Sequence, residues 1–316
     1  MKTETPINNQ LLESILSKKF DSPKVDSFFK RTGGAISEVL ELKCSNPKKD
    51  LIIKIYELID WEMGTELIAN KIMKENKRIP LPTILIADDS KAILDFNYIV
   101  MEKLQGDVLA KVSDGLDKQV LYSIFKQVGR LLREIHSITF DYYGYIPIDK
   151  RFPNNKEFMI HEFESKLIEF EKLGDDKTTM KKLKTILENS QGLFIDDGTA
   201  HLCHGDYHEN NILVAKNGHG LKVSGVIDFG MIKAADPLFD ISRFYYYGIK
   251  GNKVKEDGFW EGYGKLPEGE RVKLTLYELY QILDGYVWAV STKDEQKILT
   301  RKKDLSAALT RLQTRI

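Results

Sequence analysis

The stretch that decides the fold runs from His201 to Gly230 and reads HLCHGDYHENNILVAKNGHGLKVSGVIDFG. Two short apolar runs, residues 212–215 and 221–227, flank Lys216, Asn217, Gly218, His219 and Gly220. Asn-Gly between β-branched runs is a strong hairpin signal, because both residues tolerate the positive φ of a tight turn. With the turn near Gly218 and His219, Asn211 on the incoming strand lies opposite roughly residue 226 on the outgoing one. Asn211 and Asp228 then meet at the open end of the ribbon, with Asp206 just before it. Two carboxylates and an amide oxygen in one place suit magnesium, which prefers few, hard oxygen ligands, and hence suit phosphoryl transfer.

Bulk composition is compatible with that chemistry and excludes others. A chain of 316 residues can fold as two lobes around separate cores. An apolar content of 42% and a charged content of 30% describe an ordinary soluble protein. Lys+Arg and Asp+Glu both number 47, so no net charge points to nucleic acid or an anionic membrane. Cys44 and Cys203 make neither a metal spacing nor a disulfide framework and are expected as reduced thiols. No apolar signal core opens the chain, and no run reaches the roughly 18–20 apolar residues of a membrane span. The expectation is a cytoplasmic protein, a monomer or at most a weak dimer.

Upstream, Leu11, Leu12, Ile15 and Leu16 predict a helix over residues 8–20. Gly33 and Gly34 sit between extended segments, where backbone can turn and approach a ligand closely; a plain turn fits as well. Residues 50–56 read as a strand with Lys54 inside an apolar run, so Lys54 either reaches solvent or has an anionic partner. A helix is predicted over 61–76, with Leu67, Ile68, Ile72 and Met73 on one face and Glu62 and Glu66 beside it. Short strands are expected at 84–86, 92–95 and 96–102. Beyond Glu102 helices dominate, at 118–137, 156–173 and 177–190, so the division falls between residues 1–102 and 103–316. His136 reads as a structural histidine, and Asp236 ahead of Pro237 as a helix N-cap.

Two chemistries compete for the central stretch. His204, Asp206 and His208 alternate, and on an extended backbone they would face one way, as in a metal-dependent hydrolase. In the phosphotransfer reading Asp206 orients the attacking hydroxyl, while Asn211 and Asp228 hold magnesium on the nucleotide phosphates. HGDYHENNILV followed by VIDFG resembles the catalytic and metal-binding loops of the aminoglycoside phosphotransferase and choline kinase superfamily. The resemblance covers nearly the whole chain, and the paired motifs are highly specific in combination.

That resemblance implies an α+β, bilobal, protein-kinase-like fold, with an antiparallel-sheet lobe and a larger, mostly helical one. It implies ATP or GTP as co-substrate, Mg2+ as cofactor and a small-molecule alcohol as acceptor. By it Asp206 is the catalytic base, and Asn211 and Asp228 are the metal ligands. Gly33, Gly34 and Ser37 form the nucleotide loop, and Lys54 pairs with Glu66, for which Glu62 could substitute. VMEKLQG, from Val100 to Gly106, looks like the interlobe hinge, which places Met101, Glu102 and Leu104 beside the base of the nucleotide. DPLFD, from Asp236 to Asp240, resembles the segment after the metal aspartate. The glycine before Asp206 and the short run to Pro237 argue against an ordinary serine/threonine protein kinase.

The acceptor is the open question. Members of this superfamily phosphorylate aminoglycosides, macrolides, choline, homoserine, methylthioribose or ketosamines. A cationic acceptor needs carboxylates in its cleft. Asp240, Glu261 and Asp284 are the candidates, with Glu162 and Glu164, and Tyr246, Trp260, Tyr263 and Tyr286 could enclose a cation or a sugar. The reading favours an aminoglycoside or a related small cationic compound, with a nucleotide-binding pseudokinase as the non-enzymatic alternative.

Overall fold

Alternation in the first hundred residues builds a sheet with a core on each face. The computed structural model describes residues 7–31, 37–57, 60–75, 79–146, 148, 150–174, 176–196, 198–218, 220–249, 251–266 and 269–314. Helix α1 (Asn9–Leu16) precedes strands β1 (Lys24–Lys30), β2 (Glu38–Asn46) and β3 (Lys49–Tyr56); helix α2 (Asp60–Lys74) and strands β4 (Ile84–Asp88) and β5 (Asn97–Glu102) follow. The strands form one antiparallel sheet in the order β1-β2-β3-β5-β4. On β3, Leu51, Ile53 and Ile55 point into a core shared with Leu12, Ile15 and Leu16 of α1. The intervening Ile52 and Tyr56 face a second, smaller core with Met63 and Leu67 of α2. A period of two therefore turns Lys54, which lies between Ile52 and Tyr56, toward α2.

The strand expected at 92–95 does not form. β4 pairs directly with β5 from Ile84↔Met101 to Asp88↔Tyr98, so the residues between them are only the connection. Asp88 accepts from the Ser90 N–H at 2.9 Å and starts that turn.

Beyond Glu102 come β6 (Asp107–Val108), α3 (Leu109–Val112), α4 (Lys118–His136), β7 (Thr139–Phe140), β8 (Tyr143–Tyr145), β9 (Lys150–Phe152), α5 (Asn155–Lys172) and α6 (Lys177–Ser190). They are followed by β10 (Ala200–Cys203), β11 (Ile212–Asn217), β12 (Gly220–Val226), β13 (Lys233–Ala235), α7 (Leu238–Phe244), α8 (Lys253–Tyr263), α9 (Glu270–Ser291) and α10 (Glu295–Gln313). α4 begins at the Asp117 cap, which accepts from the Gln119 N–H at 2.9 Å, and buries the stripe Leu121, Ile124, Phe125, Val128, Leu132 and Ile135. One continuous core joins α4, α5, α7 and α9 with the hairpin. The result is the bilobal α+β architecture: a sheet lobe, then a larger helical lobe.

The hairpin forms with one residue of slip. Leu213 pairs with Gly225 but Val214 with Val223, so Ser224 is the extra residue of a bulge. Asn211 therefore lies opposite Ile227, not 226: its carbonyl accepts from the Ile227 N–H at 3.0 Å.

Candidate active site

Lys54 is the meeting point of the two lobes. Its Nζ donates to Glu66 Oε2 at 2.8 Å, Glu62 Oε1 at 3.1 Å and Asp228 Oδ1 at 2.8 Å, and the residue is 5% exposed. Glu62 and Glu66 are one helical turn apart on α2, so both carboxylates reach the same ammonium. Glu66 is fixed further by the Tyr56 hydroxyl, which donates to its Oε2 at 2.8 Å. Burial works to lower the Lys54 pKa, but Glu66, Asp228 and Glu62 outweigh it and hold it well above the ordinary lysine value. Burial likewise raises Glu62, opposed by Lys54. The sequence left Glu62 and Glu66 as alternatives; the structure uses both.

Asp228 has φ 68, a left-handed conformation that only a few per cent of non-glycine residues adopt. The side chain on this bent backbone is 43% exposed: one oxygen holds Lys54 while the carboxylate faces the cleft. Gly230, two residues on, has no room for a side chain, since a Cβ there would lie 2.5 Å from Glu62 Cγ. Glycine at 230 thus lets α2 approach the Asp228 segment.

Asp206 occupies the turn between β10 and β11. Its Oδ1 accepts from Arg243 Nε at 2.7 Å and Arg243 Nη2 at 2.6 Å, and lies 3.2 Å from His208 Nε2. Asn211 Nδ2 donates to the Asp206 carbonyl and to Oδ2, both at 2.9 Å. Burial alone would raise this carboxyl; Arg243 and His208 reverse that and hold it well below the usual carboxylate range. Asn211 is the link between the two centres. Its amide binds Asp206, and its carbonyl binds Ile227, the residue before Asp228.

Behind the turn, Asp240 is fully buried. Its Oδ2 accepts from the His204 N–H at 2.6 Å and its Oδ1 from the Gly205 N–H at 2.8 Å, while His136 Nε2 lies 3.2 Å away. This corrects the expectation that Asp240 contacts the acceptor: its oxygens pin the backbone of the Asp206 turn and face no cleft. His136, whose Nδ1 lies 2.8 Å from the Tyr263 hydroxyl, belongs to the same network, so Tyr263 is also committed internally.

Glu261 is displaced from the site as well. It is 44% exposed on α8 and pairs with Lys126 of α4, on the flank of that helix pair. Glu162 is buried under the Tyr280 hydroxyl, which donates to it at 3.0 Å. Of the three candidate carboxylates Asp240, Glu261 and Asp284, Asp284 is the one that reaches the partner of Asp206, 3.5 Å from Arg243 Nη1 and 3.0 Å from Lys166 Nζ.

The alternating histidines do not converge. Gly205 has φ 80, which breaks the extended backbone that the alternation needs, and a Cβ there would lie 2.0 Å from the Met231 carbonyl. His204 is fully buried and uses both ring nitrogens: Nδ1 accepts from the Asp206 N–H at 3.2 Å and Nε2 donates to the Ile227 carbonyl at 3.1 Å. Among the described residues, the group of potential ligands that lies close together is His136, Cys203 and Asp240, which is already hydrogen-bonded inside the core.

The nucleotide side is placed in part. Gly33 and Gly34 lie outside the described residues, and Ser37 is the first described residue after them, half-buried. Met101 is buried in the sheet between Ile52 and Ile84, and Glu102 pairs with Lys49 at 2.7 Å. Leu104 lies over Gly225 of the hairpin, so close that a Cβ at 225 would be 2.4 Å from its Cδ1. Arg243 is a residue of the site that no motif in the sequence marks. It stands three residues after Asp240 on α7, and i,i+3 spacing puts both side chains toward the same turn, which was the available signal.

Solved structures share this architecture. Aminoglycoside phosphotransferase APH(4)-Ia, a thermostable mutant in its apo form, superposes with a TM-score of 0.72 at 15% identity, covering 96% of this chain and 98% of that one. The same enzyme with ADP and hygromycin B gives 0.71 at 16% identity, covering 95% and 98%. A gentamicin complex of APH(2")-IIa gives 0.68 at 19% identity, covering 95% and 96%. At these identities the likeness speaks for the fold. No described helix is long and apolar enough to cross a membrane. The sequence itself matches the phosphotransferase enzyme family over residues 32–275, more than half its length, and the chain belongs to that family.

Proposed function

We propose that this phosphotransferase moves the γ-phosphoryl group of ATP or GTP to a hydroxyl of a small molecule, with an aminoglycoside or a related small cationic or sugar-like alcohol as acceptor. The observation that carries the reading is the junction at Lys54, whose ammonium binds Glu66 at 2.8 Å from one lobe and Asp228 at 2.8 Å from the other. Residues 1–102 supply the nucleotide side, and residues 103–316 the base and the acceptor side.

The donor set fits a hard divalent cation. Asp228 offers a carboxylate oxygen at the cleft, and Asn211 spends its Nδ2 on Asp206, which leaves Oδ1 as a ligand oxygen. Asn211 and Asp228 would hold magnesium, which would supply positive charge against the negative charge that develops on the transferring phosphoryl group. Lys54 holds the phosphates from the other side. Asp206 accepts the hydrogen bond of the attacking hydroxyl and aims its lone pair at phosphorus. Because Arg243 keeps Asp206 ionised and a weak base, its contribution is orientation first, with proton uptake late in the transfer. Asp284, tied to the base through Arg243, is the acid this reading assigns to the acceptor side.

The test is a panel of aminoglycosides, macrolides, choline, homoserine, methylthioribose and ketosamines with ATP and with GTP, read by nucleoside diphosphate release. Acceptor-dependent release that needs Mg2+ and disappears in Asp206→Ala supports the reading. Release at wild-type rate in that variant defeats it.

A further inference from the structure

Glu62 is one more carboxylate than the phosphate-binding pair requires. It is 4% exposed, contributes Oε1 to Lys54 at 3.1 Å, and its buried Oε2 accepts no hydrogen bond from any described residue. A buried carboxylate oxygen without a partner costs free energy and persists where another state of the site uses it. Around Lys54 stand Glu62, Glu66 and Asp228; counted as ionised, three negative charges and one positive sum to −2. The glycine at 230, where a Cβ would meet Glu62 at 2.5 Å, keeps this carboxylate against the Asp228 segment.

Asp228 has a conflict to resolve. Its Oδ1 is bound to Lys54, yet the proposed function needs the same carboxylate on a divalent cation. If Lys54 had only Glu66 besides, release of Asp228 would strip a buried ammonium of half its counter-charge. Glu66 already holds Lys54 at 2.8 Å and is fixed there by the Tyr56 hydroxyl on the same oxygen, so its contact is fully used before Asp228 leaves. Glu62 has an oxygen that no described residue occupies, and the longer contact.

We propose that Glu62 is a positioning residue for the metal site, the reserve counter-ion that holds Lys54 when Asp228 leaves it for a divalent cation. This rests on the reading of Asp228 as a metal ligand. It assigns different work to two glutamates one turn apart: Glu66 fixes where Lys54 stands, and Glu62 makes the exchange at Asp228 cheap.

The experiment is a binding titration that needs no turnover. A fluorescent ADP analogue is bound to the protein in EDTA and then with increasing Mg2+, and Mn2+ occupancy is followed by electron paramagnetic resonance. Glu62→Gln is expected to raise the Mg2+ midpoint about tenfold while leaving affinity in EDTA within about twofold. Glu62→Asp keeps the charge but is too short to reach Lys54, and is expected to raise the midpoint similarly. Glu66→Gln is expected to weaken binding in EDTA as well, because it unseats Lys54. Unchanged midpoints in the folded Glu62 variants overturn the proposal, as does a Glu62→Asp protein at the wild-type midpoint, which would reduce the effect to charge. A wild-type protein whose nucleotide affinity ignores Mg2+ overturns the metal reading itself and takes this proposal with it.

Discussion

Around Lys54 three carboxylates share one ammonium, whereas Asp206 and Asp284 sit in a chain in which acids and cations alternate, from Asp206 through Arg243, Asp284 and Lys166 to Glu169. Asp206 and Asp284 are matched by Arg243 and Lys166, at 2.6 Å for Arg243 on Asp206 and 3.0 Å for Lys166 on Asp284. The first centre carries surplus negative charge, which the proposed function completes with a cation from outside. The second neutralises its own charge, so it can stay ionised and rigid without a ligand. On the proposed reading, one cleft thus holds a site that waits for metal and a site that is preorganised for a hydroxyl.

The sharpest way to break this contrast is to remove the base. Asp206→Ala is expected to lower kcat about a thousandfold with nucleotide affinity little changed, measured by steady-state kinetics beside a binding titration. Retained turnover would leave the self-neutralised centre without a role. Next in size is the turn that carries it. Gly205→Ala forces a Cβ onto the Met231 carbonyl at a φ of 80 and is expected to cost about 2–4 kcal/mol in denaturant unfolding.

Arg243→Gln tests the balance itself. A misplaced base is expected to lower kcat about a hundredfold, more than it raises KM. The sign for pH follows from the depressed pKa of Asp206 in the folded protein. Its stabilising contribution is present above the ordinary carboxylate pKa and is lost as pH falls through the lower, folded value. In wild type the acid limb of Asp206 therefore lies below the working range; in Arg243→Gln it should climb toward the ordinary aspartate pKa of about 4. An unmoved pH profile would show that Arg243 does not set the state of the base.

The smallest expected effect lies away from both centres. Glu278 of α9 is pushed up to about 7 by burial, against the opposing pull of Arg311 and Arg271. With a raised folded-state pKa, its contribution to stability is full below the ordinary glutamate pKa and is lost as pH rises through about 7. Glu278→Gln should flatten the fall in Tm between about pH 5 and 8, worth about 3 kcal/mol at most. An equal slope in wild type and variant would contradict it.

Much of the site could be read before the fold was known, because its signals are local. The hairpin around Asn217 and Gly218, and the offset from Asp206 to Asn211, are short-range consequences of turn chemistry and strand alternation. Even the one-residue slip at Ser224 left Asn211 beside Ile227 and hence near Asp228. Asp240 misled because an acid in a sequence reads as exposed, and only the fold places its oxygens on the His204 and Gly205 amides. Residues 92–95 misled because a short apolar run cannot announce that its neighbours already pair across it.

By itself the sequence determined the family, the hairpin that gathers Asp206, Asn211 and Asp228, and the need of Lys54 for an anionic partner. Tertiary structure decided which charges meet. That Lys54 binds residues 62, 66 and 228 at once, and that Arg243 meets Asp206, depends on side chains far apart in the chain. The physical reason is that hairpins and caps are set by neighbours within a few residues. The protonation and pairing of a buried charge are set by whatever the folded chain brings within about 4 Å.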